Sequence, residues 1–316
     1  MAAERGFSVM IVDRRRSIGM PARCAGYVPD WLRERTEFDD SAVLQHVDGI
    51  RLKEPGTGWK EVESPGYVLD RMRLDKTLAI RALEAGADLA NALVLRCEEG
   101  RVIFRRNGLE AAFGGKIILG TDGPGSVVGR SIGQRNQNFL ATLQYEVGLR
   151  RPEAWVEFHS PWEHGDCCMW FVPSGRTARI GVAVRRKRAR FLKENLQRFL
   201  RGREAEGRVY ARGILGCTGG LVPIGGMVPC LREENIILAG GAGGISVPFG
   251  GGGISTAVVS GEFAGNFASD ALSNGREVLS EYDTKIREHL PPGEGKREDL
   301  FERLARRVES DVRWRG

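Results

Sequence analysis

Residues 238–261 read LAGGAGGISVPFGGGGISTAVVSG, and this stretch decides the fold. Ile236–Ala239 has the composition of a short buried strand, and the run from Gly240 to Gly244 clears β-carbons from the place where the chain must turn. Pro248 closes an extended segment, Gly250–Gly253 turns the chain again, and Ile254–Phe267 carries small and apolar residues at helical spacing. A helix N-terminus preceded by four glycines offers free N–H groups and the positive end of a helix dipole, which together attract anions and carbonyls. The stretch therefore predicts a place where a cofactor meets bare backbone.

Gly240, Ala242, Gly244, Pro248, Gly251, Gly252, Gly253, Ile254, Ala257, Ser260 and Gly261 fit the pattern GDAAGxxxPxxGGGIxxAxxSG. That is the second flavin-contacting motif of the FAD-dependent geranylgeranyl reductase family, within the p-hydroxybenzoate hydroxylase-like flavoproteins, and the chain resembles that family. One position departs: where the family has aspartate, this chain has Gly241. In relatives the carboxylate holds a ribityl hydroxyl, so its loss removes a charge-assisted hydrogen bond of roughly 1.5–3 kcal/mol.

Further blocks carry the resemblance along most of the chain. Thr121-Asp122-Gly123 follows the apolar run Lys116–Gly120 and precedes Ser126 and Arg130, which resembles GADGxxSxxxR with threonine in place of alanine. The resemblance implies that Asp122 and Gly123 lie along the ribityl chain and pyrophosphate. Tyr67–Arg71, with Leu74, Asp75 and Leu78, resembles the segment in which an arginine, here Arg71, meets the flavin nucleotide before a helix predicted over Leu74–Gly86. Pro21-Ala22-Arg23-Cys24-Ala25-Gly26 resembles the turn P-x-R-C-(A/G)-G that faces the isoalloxazine, which implies cofactor contacts for Arg23, Cys24 and Ala25. At the start of the glycine-preceded helix, Gly252, Gly253 and Ile254 take the same role.

A dinucleotide fold opens with a strand, a GxGxxG turn, a helix, and a second strand ending in an acidic residue that takes a ribose hydroxyl. This sequence begins within that unit: Ala2–Gly6 reads as the last helical turn, Phe7–Val12 as the second strand and Asp13 as the ribose carboxylate. On this reading roughly 20 residues of a ~30-residue unit, including the pyrophosphate loop, are missing. The expected fold is α/β: an N-terminally truncated Rossmann-like FAD-binding domain (1–36, 66–138, 229–272), an inserted antiparallel-sheet substrate domain (37–65, 139–228), and a C-terminal helical segment (273–316). The strand candidates of the insert are Val47–Lys53 and Trp59–Glu63, which flank a Pro-Gly turn, then Thr142–Leu149, Ala154–His159, Cys167–Val172 and Ala178–Val184. Lys187–Leu200 reads as an amphipathic helix.

Composition agrees with an enzyme-sized body. Glycine is 43 of 316 residues, roughly twice its usual share, yet without collagen period or low complexity, so it points to turns and ligand contacts. The six cysteines form no CxxC pair and the four histidines no ligand spacing; this argues against a metal site and a disulfide framework and for a reducing cytoplasm. The net charge of +6 concentrates in Arg14–Arg16, in Arg185–Arg190 and in the tail from Arg297. Such runs are ordinary solvated faces or suit anionic lipid head groups. Nucleic acid is disfavoured, because no aromatic residues are interleaved with them as stacking platforms. No run approaches the ~20 apolar residues of a spanning helix, so any membrane contact is peripheral.

Cys168–Pro173 stands where the family carries YxWxFP, a motif of its lipid-binding cavity; only Trp170 and Pro173 match, and a pocket lined by Trp170, Phe171 and Met169 would suit a prenyl chain or an aromatic ring. The resemblance implies reduction of isoprenoid carbon–carbon double bonds by FAD, with a prenylated lipid as substrate and Cys24 as proton donor. Ferredoxin, nicotinamide and deazaflavin all remain open as electron donor. Two other classes share these signals: a flavin monooxygenase of the same fold, and a non-catalytic lipid- or partner-binding fragment favoured by Gly241 and the absent phosphate loop.

Overall fold

The computed structural model describes residues 1–36, 38–53, 56, 58–98, 100–159, 167–246 and 252–290. In the first body, β1 (Met10–Asp13) runs parallel to β7 (Asp88–Asn91). In a separate sheet β11 (Ile118–Gly120) runs parallel to β18 (Ile236–Leu238), which β17 (Arg232–Glu233) extends antiparallel. Parallel neighbours require a crossover, and the one between β11 and β18 is residues 121–235, which carry most of a second, larger sheet.

Ile237 and Leu238 are fully buried, as a strand covered on both faces must be. The long helix α5 (Gly252–Asn274) and α6 (Tyr282–His289) close this core, with Ala264, Ala271, Tyr282 and Ile286 packed inward. Tyr282 donates its hydroxyl to the Leu238 carbonyl at 2.9 Å, and burial pushes its phenol pKa up. The predicted helix over Ile254–Phe267 lies within α5; residues 247–251, Pro248 and Gly251 among them, lie outside the described residues.

Residues 37–65 do not all join the insert. β3 (Val43–Val47) pairs with β6 (Gly66–Leu69), which also pairs with β2 (Tyr27–Pro29). The short helix α1 (Trp31–Arg35) connects β2 toward β3, so the boundary falls after residue 47. β6 then feeds α2 (Arg71–Glu84), whose N-cap Asp70 accepts from the Met72 and Arg73 amides at 2.9 and 3.2 Å. A three-stranded meander, β8 (Leu93–Glu98), β9 (Arg101–Arg106) and β10 (Leu109–Gly114), precedes β11 and had no counterpart among the expected strands. Its residues are mostly exposed, so it lacks the one-sided apolar alternation by which strands are read.

The second sheet has seven strands in the order β16-β12-β15-β14-β13-β4-β5: β16 (Val209–Pro223), β12 (Phe139–Leu149), β15 (Thr177–Arg185), β14 (Cys167–Ser174), β13 (Trp155–His159), β4 (Gly49–Lys53) and β5 (Trp59–Val62). It is antiparallel except at β13–β4, because β4 arrives from β3 rather than by a hairpin from β13. The long strand β16 was not anticipated; Gly213, Gly216, Gly219 and Gly220 interrupt its pattern. One face is covered by α4 (Leu192–Ala205) through Leu196, Phe199 and Leu200 against Phe171, Ile180 and Val182. The predicted Lys187–Leu200 helix starts later than expected, since residues 186–191 form a tighter turn without a side-chain cap.

Beneath α4 lies a buried ionic cluster. Glu157, 3% exposed, accepts from Arg208 Nη1 at 3.0 Å and from Arg203 Nη1 at 3.4 Å, and His159 Nε2 lies 3.6 Å away. Burial opposes its charge, but the neighbouring His159 imidazole, the hydrogen bonds from Arg208 and the charges of Arg208 and Arg203 outweigh that and hold its pKa down to about 2. Arg208 in turn stacks over the Phe171 ring at 4.2 Å.

Candidate functional site

At the carboxyl end of β1, Asp13 accepts from the Arg15 amide at 2.7 Å and remains 29% exposed. This is where an open α/β sheet places its nucleotide-binding carboxylate. The following loop turns back onto the start of α2: Gly19 sits at φ +79, and a β-carbon there would lie 2.7 Å from the Met72 Cα. Only glycine allows that approach.

Arg71 opens α2 and reaches Asp75 Oδ1 at 2.8 Å. Burial works against its charge, but the facing Cys24 sulfur and the Asp75 carboxylate hold its pKa above the ordinary value. Its Nε is buried without a hydrogen-bond partner. Cys24 thus meets Arg71, although the two are far apart in sequence, and packs on the cluster that includes Val28, Leu69, Leu74 and Ile254. Ile254 is 5% exposed, so its side chain serves the core, and only its backbone at the α5 N-terminus can face a ligand. Gly252 begins that helix, and Gly253 has open space where a β-carbon would be.

The two glycine-rich turns converge. A β-carbon on Gly241 would lie 3.3 Å from Pro124 Cδ and 3.6 Å from the Gly123 carbonyl carbon. Asn136 ties them, donating Nδ2 to the Pro124 carbonyl at 3.0 Å and to the Gly241 carbonyl at 2.9 Å. The Gly240 amide donates to Ser260 Oγ at 2.9 Å, which anchors the second turn to α5. Gly123, at φ +83, faces open space. The Asp122 side chain is engaged locally: it accepts from Ser126 Oγ and the Val127 amide, both at 2.5 Å, and from the Val128 amide at 3.3 Å. With Ser126, the N-cap of α3 (Val127–Ser131), it satisfies the first amides of that helix and thereby shapes the turn that includes Gly123.

The turn at residues 23–26 rests on the face of the seven-stranded sheet opposite α4. Gln144, on β12, donates Nε2 to the Cys24 carbonyl at 3.2 Å and accepts from Trp170 Nε1 at 3.3 Å. Arg179, on β15, donates to the Ala25 carbonyl at 2.8 Å. Arg23 is exposed, with its Cδ 3.8 Å from where a Gly220 β-carbon would stand. Ala25 and Trp170 pack on one cluster with Tyr27 and Val172.

The pleat corrects the expected pocket wall. Met169 and Phe171 face α4, whereas Cys168, Trp170 and Val172 face the turn. Pro173 pairs with Ala178, a member of the α4-side cluster, so the structure does not bring it to Trp170.

The structure thus brings Cys24 to Arg71 at the start of α2 and to the cluster that includes Ile254 of α5, and it separately brings Gly241 against Gly123. An unpartnered buried guanidinium nitrogen and glycines with open space at their β-positions fit FAD, a hydroxyl- and phosphate-rich group that lies along backbone. Sequence reasoning missed Gln144, Arg179 and Asn136. A lone arginine in the apolar run TARIGVAV was a usable signal for Arg179; Gln144 and Asn136 carried none.

No protein-family model matches the chain. It is 30% identical over 315 residues to a digeranylgeranylglycerophospholipid reductase of Methanocella arvoryzae, an alignment covering 92% of this chain and 79% of that protein. It is 31% identical over 288 residues to digeranylgeranylglycerophospholipid reductase 1 of Methanopyrus kandleri, covering 86% and 76%. Among solved structures, a geranylgeranyl bacteriochlorophyll reductase-like protein from Thermoplasma acidophilum superposes with a TM-score of 0.82 at 24% identity, covering 97% of this chain and 82% of that one, and so shares the fold.

Proposed function

The chain belongs to the FAD-dependent geranylgeranyl reductase family, with digeranylgeranylglycerophospholipid reductases as its relatives, and on that footing we propose that it reduces isoprenoid carbon–carbon double bonds in a prenylated glycerophospholipid. The observation that supports this reading best is the line Trp170–Gln144–Cys24, which joins an apolar strand face directly to the cofactor-facing turn. FAD, when bound, supplies the hydride chemistry. Asp13, Arg71 and the backbone of Gly123, Gly241, Gly252 and Gly253 would hold it. The Trp170 face orients the prenyl chain, and Cys24 Sγ carries the proton for the second alkene carbon. The test is anaerobic incubation of flavin-loaded protein, chemically reduced, with a digeranylgeranyl phospholipid, read by mass spectrometry as two added hydrogens per double bond. Unchanged lipid together with NAD(P)H-driven oxygen uptake on an aromatic substrate would make the protein a monooxygenase; protein that stays colourless after reconstitution would make it a lipid-binding fragment.

Gly241→Asp is expected to tighten FAD binding about tenfold, the equivalent of the weaker end of a charged hydrogen bond. The turn admits a β-carbon if Pro124 gives by a few tenths of an ångström. Fluorescence titration of both proteins checks this, and equal or weaker binding would show that another group already holds the ribityl chain.

The same reading places the protein on the inner face of the membrane as a peripheral enzyme. Arg186, Lys187, Arg190 and Phe191 are exposed together, with Arg190 stacked over Phe191 at 4.8 Å. Among the described residues no helix is long and apolar enough to cross a membrane. Sedimentation with vesicles containing anionic phospholipid should carry the protein down, and raised salt should release it. Equal recovery with purely zwitterionic vesicles would refute the electrostatic attachment.

A further inference from the structure

The cofactor-facing turn is held from the opposite body by two side chains for which the proposed chemistry has no use. Arg179 sends one nitrogen, Nη1, to two carbonyls at once, Ala25 at 2.8 Å and Leu69 at 3.1 Å. Ala25 follows Cys24 directly, and Leu69 stands two residues before Arg71. One guanidinium nitrogen therefore fixes the separation of two chain segments whose side chains, Cys24 and Arg71, meet each other. Gly26 lies between, at φ +93, where a β-carbon would fall 2.2 Å from Arg179 Nη1 and 2.7 Å from the Leu69 carbonyl oxygen. A side chain at residue 26 is incompatible with the guanidinium, so the glycine and the arginine form one device.

Gln144 acts on the same turn one residue earlier. Its amide donates to the Cys24 carbonyl at 3.2 Å and to Thr218 Oγ1 at 3.1 Å, while its oxygen takes the Trp170 indole N–H at 3.3 Å. Donor and acceptor are both engaged, so a shift of the indole is carried to the Cys24 carbonyl through one rigid planar group. On this face of β15 the neighbours are Gly181 and Ala183, small residues that leave room for the indole and the turn; Arg179 is the large polar exception. A flexible ammonium would serve poorly here, because the planar guanidinium presents its donors in a fixed fork.

We propose that Arg179 and Gln144 are positioning residues: from the substrate-side sheet they set the geometry of the Cys24–Arg71 pair, so that what lies against Trp170 is felt at the cofactor-facing turn. This rests on the reading of residues 23–26 as flavin-facing and of Trp170 as substrate-facing. It separates two roles that a single sheet face would otherwise merge, seating the prenyl chain and aligning the group that finishes the reaction.

The test uses the whole chain in four variants: Arg179→Met, Arg179→Lys, Gln144→Leu and, as a surface control, Arg212→Gln, whose residue is exposed on β16. Alkylation of Cys24 by iodoacetamide, followed on its own peptide by mass spectrometry across pH, reads the turn without cofactor or substrate. Arg179→Met and Gln144→Leu should each change the Cys24 rate about fivefold or more and displace its pH profile. Arg179→Lys should recover part of the difference, and Arg212→Gln should superimpose on the native protein. In lipid turnover kcat should fall on the order of tenfold to a hundredfold with little change in KM, as misalignment by an ångström can do. Native Cys24 profiles in both Arg179→Met and Gln144→Leu would overturn the proposal and leave a packing role. Should Arg179→Met fail to fold, Gln144→Leu decides alone. Altered Cys24 reactivity in a protein that reduces no prenyl lipid would uphold the positioning role and sink the reductase reading; the reverse result would do the opposite.

Discussion

Glu157→Gln should lower the melting temperature on the order of 10 °C near neutral pH and flatten the acid side of the stability profile. The carboxylate lies under α4 with Arg208 and Arg203 as partners, and its loss leaves guanidinium charge buried with fewer counter-charges. Removing one partner of a buried ion pair costs about 3–5 kcal/mol. Linkage gives a figure of the same size for the same effect. The folded pKa of about 2 lies below the ordinary 4.5, so 4.5 − 2 is about 2.5 units, or about 3 kcal/mol. Because the folded pKa is depressed, this stability is fully present above about 4.5 and is lost as pH falls towards about 2, more than half of it by about pH 3. Thermal melts of both proteins across that window check it: the gap between them should be wide near neutrality and narrow in acid. A gap that stays constant with pH would mean that Glu157 stabilises by packing rather than by charge.

That cluster also shows where sequence reading stopped. β18 was legible as a short apolar run closed by glycine, whereas β7, reading DLAN, has no such composition, and α2 starts at Arg71 rather than at the expected Leu74 because Asp70 caps it. β16 was hidden by its glycines, and β8–β10 by having no buried face to impose alternation. The division of residues 37–65 depends on which partner each strand finds, β6 for β3 and β13 for β4, and pairing over such distances leaves no local mark. The site divides in the same way. Turns that present backbone to a ligand are glycine-rich and fixed in spacing, so Gly123, Gly241 and Gly253 stood out through the resemblance of that spacing to the family motifs. Contacts between bodies could not, since Gln144 reaches Cys24 across 120 residues and Arg179 reaches Ala25 across 154. Asp122 was expected along the ribityl chain and pyrophosphate, and its engagement with Ser126 Oγ and the Val127 amide at the α3 terminus carried no signal in the sequence.

Gly181→Ala is expected to abolish most turnover of long prenyl substrates while leaving the protein folded. The Trp170 indole lies flat across Gly181, and a β-carbon there would be 2.0 Å from Cζ2 and 2.6 Å from Nε1. The ring must swing away, which breaks its hydrogen bond to Gln144 and removes the large apolar surface beside the turn at residues 23–26. Overpacking of this kind costs about 1–3 kcal/mol in stability, too little to unfold a well-packed domain. The effect on catalysis is expected to be larger, at least about tenfold in kcat/KM for a geranylgeranyl chain and smaller for a short prenyl group that never reaches the indole. Trp170→Ala should show the same dependence on chain length, for the same reason. The decisive measurement is the double variant. If residue 181 is glycine because the indole occupies that space, Gly181→Ala should cost almost nothing once Trp170 is alanine, and the two losses will be far from additive. Additive losses would show that the glycine answers to the backbone of β15, and the tryptophan would then have to be placed elsewhere in the substrate path.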